Sequence, residues 1–141
     1  MKILIKYLVL FLFGGSIYLL IEICFRGYSH PAMFAVGGIC FLLIGGINEY
    51  LNWTVPLLFQ SIIGSLLITG IEFISGLILN IWLGLSIWNY SDLPFNLLGQ
   101  ICLQFSLLWC LAAVAGIIID GFMRWLLFNE EKPRYILFYH S

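Results

Sequence analysis

Apolar residues fall into four long blocks separated by short polar interruptions. A helix that crosses the hydrocarbon core needs about 20 mostly apolar residues. The pattern predicts such helices over 3–25, 32–51, 55–81 and 97–119. Between the third and fourth, residues 82–96 mix Trp82, Trp88 and Tyr90 with polar residues and Pro94. Such a segment suits the headgroup layer, or folds back into the bundle. Residues 121–128 read as an amphipathic end at the inner interface, anchored by Arg124 and Trp125, before a tail over 129–141. Lys2 and Lys6 followed by an apolar run and Gly14, Gly15 and Ser16 imitate a signal peptide. The run resumes over Ile17 to Ile21, which favours an uncleaved first helix. The expected fold is an all-α integral membrane protein of one transmembrane domain, 1–141. Its four helices form a compact bundle, with an external aromatic and polar loop or re-entrant segment before the last.

Composition strengthens this reading. Hydrophobic residues make up 62% of the 141 and charged residues 9%, too few charges to cover a water-facing surface. Six basic residues against seven acidic ones remove the basic face that nucleic-acid binding requires. An even number of spans puts both termini on one side. With that side cytoplasmic, Lys2, Lys6, Arg124, Lys132 and Arg134 lie inside and only Arg26 outside, in accord with the positive-inside rule.

The polar residues within the spans are not scattered. At the helical period Ser61, Ser65, Thr69, Glu72, Gly76 and Asn80 share a sector of about 100°, a face turned to other helices rather than to lipid. The first helix aligns Phe11, Gly15, Tyr18, Glu22 and Arg26, and Glu22 precedes Arg26 in the favourable i,i+4 order for mutual neutralisation. The second collects Gly38, Leu42, Gly45 and Glu49 on one side; the fourth collects Cys102, Ser106, Trp109, Ala113, Gly116 and Asp120. Glu72 is the most deeply embedded ionisable residue, and a charge there costs roughly 3 kcal/mol on insertion scales. It can serve function, or simply hold the bundle together. Glu49 and Asp120, read as helix-end residues, are expected to reach interfacial water.

Other chemistry is sparse. Cys24, Cys40, Cys102 and Cys110 sit in apolar runs without redox or zinc spacing and read as packing residues. His30 beside Pro31 reads as a solvated loop residue. Asn52, Trp53 and Thr54 form a glycosylation acceptor that the expected topology puts on the wrong side. The sequence has no P-loop, Gly-x-Ser-x-Gly or HExxH, so the expectation is a non-enzymatic protein without cofactor or metal.

The run Trp88-Asn89-Tyr90-Ser91-Asp92-Leu93-Pro94-Phe95-Asn96-Leu97-Leu98-Gly99-Gln100-Ile101-Cys102 resembles the signature of a bacterial membrane family, the ABC-transporter permeases of type IV. Two more blocks agree: Arg26-Gly27-Tyr28-Ser29-His30 leading to Gly37-Gly38-Ile39-Cys40, and Ile68-Thr69-Gly70-Ile71-Glu72-Phe73-Ile74-Ser75-Gly76. The chain departs from the family at Asn89, where Asp is common, and at Pro31, where Trp is usual. The resemblance implies a multi-pass transport component of the bacterial cell membrane. Its partners would be the lipid bilayer, an ATPase or other membrane subunit, and a second copy of itself.

Physically, Asp92 and Pro94 favour a turn, and Ser91, Asp92 or Asn96 could cap the following helix. The loop then reads either as a rigid structural element or as a lid over Glu22, Arg26 and Glu72. The candidate binding residues are Glu22, Arg26, Glu72, Asn80, Asp92 and Asn96, presented to a small solute or ion. The alternative is a non-transporting scaffold or accessory subunit whose small-residue faces bind another membrane protein. A holin-like pore former is opposed by the long signature loop. Cysteine labelling at both ends should report cytoplasmic termini; external labelling of either end would overturn the assigned topology.

Overall fold

The computed structural model describes residues 2–27, 29–51, 55–133 and 135, without the side chains of Lys2, Phe25 and Arg26. Asn52, Trp53, Thr54 and Arg134 lie outside the described residues. Helix α1 (Lys2–Arg26) is followed by α2 (Pro31–Gly45), which passes Gly46 into the single turn α3 (Ile47–Tyr50). Helix α4 (Leu57–Gly76) runs directly into a π-helical segment, Leu77–Trp82. A short hairpin, β1 (Asn96–Leu97) and β2 (Ile101–Cys102), leads into α5 (Leu103–Phe128). Among the described residues, four stretches are long and apolar enough to span a bilayer: Ile3–Cys24, Pro31–Tyr50, Leu57–Trp82 and Leu103–Phe128. The protein is therefore an all-α, multi-pass membrane protein, with one two-stranded hairpin among the described residues.

Its interior combines an apolar core around Leu10, Ile44 and Ile117 with buried polar residues, and its surface carries many large apolar side chains. Gln60, Ser61 and Asp120 are at most 1% exposed, whereas Leu66 and Leu111 are 69% and 70% exposed. Lipid dissolves the leucines as well as a protein core would, while the polar groups must find partners inside. Helix α1 packs on α2 and α4 on α5, and α2 bridges the two pairs.

Glycine makes the α1–α2 contact close. Phe41 lies over Gly14, Phe34 over Gly15, Tyr18 over Gly37 and Phe11 over Gly38, so each helix inserts bulky side chains into gaps on the other. Gly64 of α4 meets Ala113, and Gly116 of α5 receives Ile44. Phe11 and Phe34 complete the α1–α2 seam with an edge-on ring contact at 5.9 Å.

Four local features differ from the sequence expectation. His30 is not merely solvated: its Nδ1 accepts from the Ala32 N–H at 3.0 Å and caps α2, with Pro31 as the first helical residue. The last helix begins at Leu103 rather than at residue 97, because residues 96–102 form the hairpin, with Asn96 opposite Cys102 and Leu97 opposite Ile101. Its turn has Leu98 and Gly99 at φ of 54° and 73°, left-handed values that end any helix and that glycine tolerates best. Asn96 is used there, accepting from the Gly99 N–H at 3.1 Å, so it does not cap α5, whose N-cap is Cys102 without a side-chain bond. Finally, residues 121–128 are not set apart from the last helix. They continue α5, and Gly121 and Arg124 are buried.

Lys6 Nζ donates to Glu130 at 2.9 Å, and Tyr7 donates to Glu49 at 2.6 Å. The start of α1 and the chain after α5 thus share one end of the bundle, the terminal end; the hairpin marks the opposite, loop end. A Cβ at Gly38 would stand 2.6 Å from the Phe11 ring and 2.8 Å from its carbonyl oxygen, whereas Gly70 has nothing within 4 Å. Gly38→Ala should therefore cost about 1–3 kcal/mol through forced separation of α1 and α2. Gly70→Ala should be neutral or stabilising by up to about 1 kcal/mol. Thermal unfolding in detergent checks the pair.

Candidate functional site

The polar stripe of α4 becomes a hydrogen-bonded seam. Ser65 Oγ donates to the Ser106 carbonyl at 2.5 Å, and Thr69 Oγ1 shares a hydrogen bond with Ser106 Oγ at 2.9 Å. One turn further, the buried Glu72 accepts from Tyr90 OH at 3.1 Å and from Trp109 Nε1 at 3.4 Å. Beyond it Gln100 covers Gly76 and accepts from Asn80 Nδ2 at 2.8 Å. Asn80 Oδ1 in turn accepts from the Ile87 N–H at 2.7 Å. A π turn, the form α-helices often adopt at functional sites, carries Asn80.

These bonds fix the loop that leads to the hairpin. Trp88 Nε1 donates to the Gln100 carbonyl at 2.9 Å, and the Tyr90 N–H donates to the Gly99 carbonyl at 2.7 Å. Tyr90 then stacks on Phe105 of α5, with centroids 4.8 Å apart and planes 11° from parallel, and Phe105 lies 6.4 Å from Trp109. Burial first, and then the charge of Glu72, raise the Tyr90 phenol well above its ordinary 10.0, so it remains a donor. Ser86, at the start of this stretch, has φ 52°, a strained value for a residue with a Cβ.

Under this loop a cavity of about 820 Å³ opens between α1 and α5. Tyr18, Ile21 and Glu22 form one wall; Phe105, Leu108, Trp109 and Ala112 form the other, and residues 86–90 form the roof. Ile21 and Leu108 are each about half exposed, so the cavity opens sideways towards lipid. Glu22 is buried and accepts from Ser29 Oγ at 2.6 Å. Glu72 stands behind Tyr90 and Trp109, one side-chain layer from the cavity.

The structure thus gathers Glu22, Glu72 and Asn80 around the loop end and its roof. The side chain of Arg26 lies outside the described residues. Asp92 is exposed on the far side of the loop and does not line the cavity, and Asn96 is a turn residue whose Nδ2 donates to the Leu93 carbonyl at 2.7 Å. Gln100, Phe105 and Tyr18 were missed as site residues. The available signals were Phe105 and Trp109 at i,i+4 and the placement of Gln100 within the signature run.

A second polar cluster closes the terminal end. Arg124 pairs with Glu49, and its Nε lies 2.9 Å from Asp120 Oδ2. Asp120 packs over Gly45 and is only 1% exposed, so it does not reach interfacial water as expected. The reason is the continuation of α5, which leaves Asp120 two turns inside the helix. Arg124 is likewise buried, whereas Trp125 carries Lys132 at 5.1 Å over its ring. Tyr135 folds back over Gly121 and donates to the Ile117 carbonyl at 3.0 Å; burial and Asp120 push its phenol up to about 12.

With this geometry in hand, a family model matches residues 4–137. The chain belongs to that family, described as "Putative ABC-transporter type IV". No curated protein and no solved structure compared with the chain gave a match. Within this family member, the run 88–102 contributes to the cavity roof and forms the hairpin.

Removing Arg124 while Asp120 stays should strand a carboxylate at the terminal end. Arg124→Met is expected to cost about 3–5 kcal/mol, and the addition of Asp120→Asn should return a substantial part. Detergent thermal stability of the two variants is the measurement, and equal losses would show that the pair is not the relevant interaction.

Proposed function

We propose that the protein is a permease-like component of a transporter in the bacterial cell membrane, and that the loop-end cavity takes a small solute or ion. The observation that carries this reading is the convergence of Glu22 and the two hydrogen-bond donors of Glu72, Tyr90 and Trp109, on one cavity between α1 and α5. A carboxylate in a membrane span is expensive, and a site that uses its charge explains its presence. Among the described residues its partners are the neutral donors Tyr90 and Trp109 rather than a cation, which fits a group reserved for something that enters.

Both termini are cytoplasmic in this reading, since Lys6, Arg124 and Lys132 all belong to the terminal end. The cavity then faces the outer half of the bilayer. The reading involves no bond-making chemistry, and the energy source is an ATPase or another membrane subunit, with self-association as a second route to a complete path. The scaffold alternative relied on small-residue faces for binding another protein. Gly14, Gly15, Gly37, Gly38, Gly64 and Gly116 are filled by side chains of the chain itself, which favours the transport reading.

The test uses a deletion strain complemented with variants. Glu72→Gln keeps shape and hydrogen bonding, so it should preserve detergent stability to within a few degrees while losing complementation by at least tenfold in growth or uptake, about 1.4 kcal/mol. Full complementation by Glu72→Gln would assign Glu72 to packing and remove the basis of the proposed site.

A further inference from the structure

The walls of the same cavity name a class of ligand. Tyr18, Trp88, Tyr90, Phe105 and Trp109 contribute five aromatic rings, Ile21, Leu108 and Ala112 contribute aliphatic surface, and Glu22 is the charged side chain among the described lining residues. Among the described residues the lining contains no basic side chain. Aromatic faces attract cations through the ring quadrupole, most strongly where water is excluded, and tryptophan does so best. A bare metal ion or ammonium would lose its hydration among these rings without enough oxygen ligands to replace it. An organic cation instead buries its apolar groups against the rings and aliphatic walls and keeps a diffuse, weakly hydrated charge.

Glu72 supplies the complementary charge. Its carboxylate is buried, and both of its partners, Tyr90 OH at 3.1 Å and Trp109 Nε1 at 3.4 Å, belong to rings that line the cavity. Donation of the O–H and N–H to Glu72 polarises each ring so that its face becomes more negative. A cation on those faces would therefore be held by the rings and by the carboxylate behind them. Size agrees as well, because a cavity of about 820 Å³ falls in the range of pockets for drug-sized ligands, roughly 300–1,000 Å³. The lateral rim at Ile21 and Leu108 gives a lipophilic molecule access from the bilayer.

We infer that the loop-end cavity binds a lipophilic organic cation, held by the rings of Trp88, Tyr90, Phe105 and Trp109 with Glu72 as the counter-charge. This rests on the transport reading only for its physiological meaning; the binding chemistry stands apart from it. The experiment uses the full chain in nanodiscs and equilibrium dialysis of two radiolabelled probes of nearly equal shape, the cation tetraphenylphosphonium and the anion tetraphenylborate, each corrected for partition into empty nanodiscs. The cation should bind at least tenfold more tightly than the anion. Glu72→Gln should weaken the cation by about tenfold and leave the anion unchanged. Phe105→Leu should weaken the cation several-fold, and it keeps the test open if Glu72→Gln fails to fold. Equal binding of the two probes by the wild type, or a charge preference untouched by both variants, overturns the inference. Charge-selective binding without movement of the cation across proteoliposomes supports the inference and counts against transport of this class. Glu72-dependent complementation without cation binding overturns the inference and leaves the transport reading in place.

Discussion

Lipid gives apolar helices no reason to leave it for one another, so the bundle depends on how closely backbones can approach and on where polar groups are satisfied. The α1–α2 seam answers the first requirement by seating Phe11, Tyr18, Phe34 and Phe41 over glycines of the opposite helix. The α4 seam answers the second, with Ser65, Thr69, Glu72 and Asn80 bonded in succession to α5 and to the loop. Other aliphatic side chains, such as Leu66 and Leu111, are left to face the bilayer, while Leu10, Ile44 and Ile117 pack inside. Buried hydroxyl and amide groups are the consequence of this constraint rather than an exception to it.

The same constraint explains the two ends. At the terminal end charges are paired with one another: Arg124 with Glu49 and Asp120, Lys6 with Glu130. At the loop end Glu72 is satisfied by neutral donors, and those donors are aromatic. Pairing neutralises a buried ion, whereas neutral hydrogen bonds leave its field in place. The two ends therefore satisfy their buried carboxylates differently, by ion pairs at the terminal end and, for Glu72, by aromatic hydrogen-bond donors at the loop end.

The loop between α4 and α5 links structure to that cavity. Asn80 and Gln100 hold its two ends together, and the hairpin turn at Leu98 and Gly99 places Tyr90 on Phe105. Because residues 86–90 roof the cavity while residues 96–102 anchor it, displacement of the hairpin would move the roof. Residues 88–102 include parts of both, so roof and hairpin form one unit of architecture.

The sequence by itself determined the compartment, the four spans and the inward face of α4, because apolar length and helical period depend only on local order along the chain. The face carrying Ser61, Ser65, Glu72 and Gly76 was legible for that reason, as was the closeness of Asp120 to Arg124 along one helix. Composition could not distinguish residues 97–102 from helix, since a hairpin of Leu97, Leu98, Ile101 and Cys102 is as apolar as a span. It also could not show that Asn96 serves a turn, that His30 caps a helix, or that Arg124 points inward. Only the tertiary structure decided which aromatic rings surround Glu72. Tyr90, Phe105 and Trp109 come from a loop and a helix separated from Glu72 by 18 or more positions, and their meeting depends on helix packing and a left-handed turn that no periodicity encodes.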